Sequence, residues 1–464
     1  MRGKRFVLGT VLMVVTAAIV FAIFRSVQWA GRTGPRHVVL ITLDTTRADH
    51  LGCFGYPHPV SPRMDGLAER GTVFVNAYAS ASVTPVSHAS ILTGQYPYSN
   101  GLRVMHGLSE NRLPDSAVTL AENLKAAGYK TAAFISAFPA GSRFGLDQGF
   151  DTFNEAFLEE PIDRIVDSSG NVDTGKNQRR ADATTDLALD WLAGVSGSFF
   201  VWLHYFDPHD AQMVPPTEFL EQFPAPSGDD PEQLRYIYDI EIKFMDQQVG
   251  RVLDALQAVG RLEDTVVVIV GDHGQGLGDH NWWTHGLLYQ EQIKVPLIIS
   301  VPAVPFGRRV KHLVRTVDIV PTILDLVGVD PGRKPTMDGA SLVPMLKGET
   351  ADPGYVAYAD SVNMLTYATD VETRDVKDDM LFAVTDRRWK YIRHLFREAE
   401  SELYDLTRDP REQTNLFADR PRELERLRND LRARRFEPDR NQAQGQGQLS
   451  AKDLERLRSL GYLK

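Results

Sequence analysis

Apolar and polar positions fall in blocks along this chain, and the first block is the longest. Positions 6–24 form a stretch of 19 residues without a formal charge, apolar at all but Gly9, Thr10 and Thr16. Arg2, Lys4 and Arg5 precede it and Arg25 follows. As a helix the stretch reaches about 28 Å, close to a hydrocarbon core of about 30 Å. It therefore predicts a signal anchor (1–25) whose basic leading edge stays cytoplasmic and whose remaining chain lies outside, periplasmic or extracellular. Secretion after signal cleavage is the alternative. A signal peptide normally carries only about 7–15 apolar residues, and Gln28-Trp29-Ala30 makes a poor cleavage site.

Beyond a short polar linker (26–35) the pattern changes to an α/β rhythm. Positions 38–43 are apolar except Thr42, as in a strand buried on both faces. Asp115 or Ser116 can cap a helix running to Ala127, Gly128 ends it, and 129–135 reads as the next strand. A helix over 182–192 precedes a strand over 199–204. Tyr238, Ile242, Met245, Val249, Leu253 and Leu256 recur every three or four positions and predict a long amphipathic helix. Strands over 265–270 and 295–301 and a helix over 318–327 complete a catalytic α/β domain at 36–330. Strands alternating with helices predict a mostly parallel, doubly wound sheet with helices on both faces. Two polar stretches, 159–180 and 215–233, interrupt the rhythm and read as surface loops near the mouth of the site. After about Pro331 short strands at 382–385, 389–392 and 402–404 predict a small antiparallel sheet in a C-terminal subdomain (331–436), with a charged helix over 420–435. A Gln/Gly linker and a final helix over 451–460 occupy 437–464.

Composition narrows the function. The chain has 464 residues, 43% apolar and 24% charged, so it can bury a sizeable core. Its 51 Lys+Arg against 61 Asp+Glu give a net charge of −10, which speaks against nucleic acid as a partner. Cys53 is the single cysteine, so neither an intramolecular disulfide nor a Cys-rich metal site can form.

In a doubly wound sheet, ligands gather beyond the carboxyl ends of the strands. Asp44 follows the first predicted strand directly. Asp272 and His273 follow the strand 265–270 after one glycine, Asp207 and His209 follow 199–204, and His285 lies a few residues past Asp272-His273. Acids and imidazoles converging from separate strand ends suit an oxygen-rich metal site. Thr84 precedes Pro85, a pair favoured where a helix begins, and a helix N-terminus attracts anions. On its own that pair signals only a helix cap; beside a divalent cation the hydroxyl becomes a nucleophile.

The order and spacing of several pieces resemble the sulfatase family of the alkaline-phosphatase superfamily. They are Val-Leu-Ile-Thr-Leu-Asp at 39–44 running into 47–56, then 87–94 leading to Gln95-Tyr96-Pro97, and 119–128. Phe206-Asp207-Pro208-His209, Gly271-Asp272-His273-Gly274 and Leu288-Tyr289 with Val295-Pro296-Leu297 follow. The last is Glu-Leu-Tyr-Asp-Leu at 402–406 with Asp409-Pro410 and Asn415-Leu416. The resemblance spans about Pro35 to about Leu416. It implies that Asp44, Asp272 and His273 bind one divalent metal, which Thr84, at the nucleophile position, also reaches. It implies that His209 and His285 contact the anionic group of the substrate or protonate the leaving group. His88 stands where sulfatases usually carry an arginine supporting the nucleophile. Calcium, magnesium or manganese suits this ligand set, with zinc a further option. A second site of Asp207, His209 and His285 is the alternative to a single ion.

The chain departs from the family in informative places. Sulfatases usually have Cys, sometimes Ser, where Thr84 stands, inside a Cys-x-Pro-x-Arg type motif that directs oxidation to formylglycine; no formylglycine is expected here. The second Asp that often follows the first ligand is Thr45, and Ser136-Ala137-Phe138 replace a usual Lys-x-His pair. A threonyl ester cannot leave by collapse to an aldehyde, so water must attack the central atom. That favours phosphoesters and phosphodiesters over sulfate esters, in sugar, lipid or small-molecule substrates. The expected function is a metal-dependent hydrolase of sulfate or phosphate esters. The alternatives are a membrane-anchored phospho-head-group transferase and a non-catalytic binding module that keeps the fold.

Overall fold

The computed structural model describes residues 34–103, 112–157, 177–209, 215–225, 230–302, 304, 307–331, 337–349, 351–362 and 379–434. The predicted anchor, the C-terminal linker and the last helix lie outside these. Among the described residues no helix is long and apolar enough to cross a membrane.

Three apolar segments form the centre of the main sheet. Strands β1 (His37–Leu43), β5 (Phe199–Tyr205) and β6 (Thr265–Gly271) are buried along their whole length, as parallel strands covered on both faces must be. Strand β1 lies between the other two, and its Leu43 is level with Tyr205 on one side and Gly271 on the other. The residues that follow these strands therefore emerge at one height. The remaining strands are β2 (Thr72–Tyr78), β3 (Lys130–Ile135), β4 (Thr152–Asn154), β7 (Lys294–Val295), β8 (Leu297–Ser300) and β9 (Arg308–Arg315). The order runs β4-β3-β5-β1-β6-β8-β2-β7, with β9 beside β2. The sheet is parallel from β4 to β6 and antiparallel where β8 meets β6 and β2 and where β7 meets β2.

Helices cover both faces. On one, Val39, Ile41 and Leu43 pack with residues of α1 (Pro62–Arg70), α4 (Ala181–Gly194) and α5 (Asp230–Ala258). The apolar stripe of α5 read from the sequence is the buried one. On the other face Val38 and Leu40 pack with α2 (Thr84–Thr93), α3 (Leu120–Ala126) and α6 (Ile319–Val327). Helix α3 is shorter than expected. Its cap is Thr119, whose side chain accepts from Glu122 N while Glu122 returns a bond to Thr119 N, a reciprocal capping box that outcompetes Asp115 and Ser116. The strand expected over 295–301 is two, because Pro296 lacks the N–H that would continue the ladder. The stretch 215–233 is not all loop: it holds a turn of helix (Thr217–Leu220) and the start of α5.

A second, antiparallel sheet follows, β10 (Ala357–Val362), β11 (Met380–Thr385), β12 (Trp389–His394) and β13 (Glu402–Asp405). One face packs on α7 (Pro421–Ala433) through Leu424, Leu427 and Leu431. The opposite face, through Ala359, Leu381, Ala383, Ile392 and Tyr404, packs on Trp282, Leu287, Leu288 and Tyr289. That contact fixes the segment that carries His285.

Candidate active site

Asp44 and Asp272 leave adjacent strands and keep the ladder for one more residue. Asp44 N donates to Tyr205 O at 2.9 Å and Asp272 N to Leu43 O at 3.3 Å. Each carboxylate is fully buried with one oxygen held and the other without a hydrogen-bond partner. Oδ1 of Asp272 accepts from His273 N at 2.7 Å and Thr45 N at 3.2 Å. Oδ2 of Asp44 accepts from Thr84 Oγ1 and from His204 Nε2, both at 3.1 Å. The unpartnered atoms are Asp44 Oδ1 and Asp272 Oδ2.

Thr84 opens α2, which begins after Val83 in extended conformation, so the threonine lies inside the first turn rather than capping it. Its Oγ1 is also 3.3 Å from His273 Nε2. The other ring nitrogen of His273 donates to Gly274 O at 3.1 Å, which places the proton on Nδ1 and turns the Nε2 lone pair inward. Ligand atoms of Asp44, Asp272 and His273 all lie within 4.8 Å of one another. Two unpaired carboxylate oxygens, an inward imidazole lone pair and a hydroxyl fit a divalent cation by both geometry and donor type. Burial drives the carboxyl of Asp44 up to about 7, against the opposing pull of His285 and Thr84. Burial, then the charge of Asp44, drives Asp272 well above the usual carboxylate range. Two acids so close and so dry are costly without a cation.

His209 and His285 meet each other, Nε2 to Nε2, at 3.1 Å. Nδ1 of His285 donates to Ser82 O at 2.9 Å, so its Nε2 accepts and His209 supplies the proton between them. The His285 ring lies 4.6 Å from that of His273, and His209 stacks on Phe206 at 4.2 Å. Burial holds His209 and His273 well below the ordinary imidazole value and lowers His285 as well. Burial thus disfavours a charge on each of the three rings.

His88 lies beneath the site. Its Nδ1 donates to Thr84 O at 2.8 Å and is 3.4 Å from Asp272 Oδ2. Trp202 Nε1 donates to Thr42 Oγ1, and that hydroxyl gives its own proton to His88 Nε2, both at 2.9 Å. His88 therefore supports the backbone at Thr84. Asp207 accepts from Ala181 N through Oδ1 and so serves the start of α4. Among the described residues, Asp207, His209 and His285 do not gather into a second cluster able to hold an ion.

Sequence reasoning missed His204. It is wholly buried on β5, and burial, helped by Arg179, lowers it to about 3. The signal was there, as a histidine inside the otherwise apolar run 199–204. The backbone role of Thr45, by contrast, leaves no trace in a residue name.

A mostly parallel sheet that presents acids and imidazoles past neighbouring strand ends is the architecture of the alkaline-phosphatase superfamily. Within it, the chain belongs to the sulfatase family. The family model described as Sulfatase matches residues 36–329, and that described as N-sulphoglucosamine sulphohydrolase, C-terminal, matches 278–439. The chain is a hydrolase acting on ester bonds. It is 31% identical over 454 residues to a choline-sulfatase of Rhizobium meliloti, covering 84% of each chain. It is 27% identical over 421 residues to a Delta 4,5-hexuronate-2-O-sulfatase of Bacteroides thetaiotaomicron, covering 80% of this chain and 84% of that one. The phosphonate monoester hydrolase of Agrobacterium radiobacter shares the fold with a TM-score of 0.69 at 21% identity, over 86% of this chain and 95% of that one.

Proposed function

We propose that this protein cleaves sulfate- or phosphate-type esters with the unmodified hydroxyl of Thr84 as nucleophile, and that phosphoesters or phosphodiesters are its better substrates. One observation carries the reading: Thr84 Oγ1, at the start of a ten-residue helix, lies 3.1 Å from Asp44 and 3.3 Å from His273 in a buried acid cluster. A divalent ion held by Asp44, Asp272, His273 and Thr84 would lower the hydroxyl's pKa and polarise the ester. The helix N-terminus favours the anionic group of the substrate. Thr84 Oγ1 gives up its proton to solvent, from which the His209–His285 pair takes one up, and attacks the central phosphorus or sulfur in line as the bond to the leaving oxygen breaks. That oxygen takes its proton from the His209–His285 pair and departs as the alcohol. Water then cleaves the threonyl ester, restoring the hydroxyl and releasing the acid. The names of the relatives support sulfated sugars, choline sulfate and phosphonate monoesters as substrates to test first.

Thr84→Ala is expected to cut turnover of aryl phosphodiesters and aryl sulfates at least about a thousandfold while the melting temperature stays unchanged. Undiminished turnover in that variant removes the reading. The apolar stretch 6–24 supports an anchored protein facing the extracytoplasmic side.

A further inference from the structure

The two metal-facing carboxylates are held in different ways. Asp272 is clamped through Oδ1 by two backbone amides, those of Thr45 and His273, so any sequence that folds here retains the clamp. Asp44 is clamped through Oδ2 by side chains alone, Thr84 and His204. In the proposed reaction Thr84 leaves that duty, because its oxygen becomes the nucleophile. His204 is then the donor that stays.

The setting of His204 singles it out. Its side chain is wholly shielded from solvent, and its Nδ1 has no hydrogen-bond partner among the described residues. The ring lies 5.0 Å from that of His88, edge to face, and 6.0 Å from that of Phe206. A buried ring with one nitrogen unsatisfied costs about 1–3 kcal/mol against an apolar side chain of similar size. The contact that offsets this is Nε2 to Asp44 Oδ2 at 3.1 Å. A carboxylate oxygen only accepts, so Nε2 carries the hydrogen. We infer that His204 is a positioning residue for the metal: by holding Oδ2 it turns Oδ1 of Asp44 toward Asp272 and His273. It is not itself in the set of groups able to meet on one ion. This inference rests on the metal reading of Asp44, Asp272 and His273.

The test is Mn²⁺ affinity of the full-length protein by calorimetry, with metal-free melting temperature measured on the same samples. His204→Leu and His204→Met remove the donor at similar volume; His204→Gln keeps an N–H. The first two are expected to weaken Mn²⁺ binding about 10–100-fold, the range for losing such a partner of a ligand. His204→Gln is expected to stay within about threefold of wild type. A purely structural role predicts that all three variants lower the metal-free melting temperature and leave Mn²⁺ affinity alone, which would overturn the inference. Equal weakening in the Gln variant would overturn it as well. Asp44→Asn separates loss of the metal site from loss of the His204 contact. Unchanged Mn²⁺ binding in Asp44→Asn defeats the metal reading, whereas lost binding there with unchanged binding in His204→Leu defeats only the role of His204.

Discussion

Thr45 occupies the left-handed region at φ 49°, a conformation that a β-branched residue adopts at a cost of about 1–3 kcal/mol. The bend turns its N–H onto Asp272, so strain in one residue holds an acid on the neighbouring strand. At the same scale, His394 is caught between two acids, Nδ1 at 2.8 Å from Asp379 and Nε2 at 3.3 Å from Glu402. Burial works against the charge, but the two hydrogen bonds outweigh it and push the imidazolium up to about 9. A raised folded-state pKa gives stability that is complete below the unfolded value of about 6.5 and is lost as pH rises through about 9. Wild type is thus expected to lose on the order of 1–3 kcal/mol between pH 6 and pH 9.5, measured by denaturant melts, while His394→Gln loses much less. Parallel slopes for the two proteins would refute this assignment.

Elements differ in how plainly the sequence announces them. The strands β1, β5 and β6 read correctly because burial on both faces leaves continuous apolar runs. The stripe on α5 reads correctly for the same reason, with one buried face repeating at the helical period. Strand β9 escaped notice, since Arg308, Arg309, Lys311 and Arg315 mask its pairing with β2. Strand β2 and helix α1 were also not anticipated. Acids and imidazoles after strand ends were legible because strand order makes such positions converge. His204 was not, because its meaning comes from the residue one strand away. The loop bearing His285 likewise owes its shape to distant partners. His280, at φ 52°, stacks on Tyr289 at 3.8 Å, and its ring nitrogens reach Glu291 Oε1 at 3.0 Å and Glu412 O at 3.1 Å. None of those pairings can be read locally.

For the whole molecule, a net charge of −10 gives no general attraction for an anionic ester, so under the proposed function recruitment would fall to the helix end, the imidazoles and a cation held by Asp44, Asp272 and His273. The basic-then-apolar N-terminus predicts that the full chain sediments with membranes and is released only by detergent; recovery in the soluble fraction would count against an anchor. The small sheet packs on the segment that carries His285, so the surroundings of both sheets shape the candidate site. The central claim is that position 84 reacts as plain threonine. Rapid acid quenching of the protein during turnover of an aryl phosphodiester, followed by peptide mass spectrometry, tests it. An unmodified Thr84 is expected at rest, and a phosphoryl ester on that residue during turnover. An adduct on any other side chain, with Thr84 untouched, would contradict it.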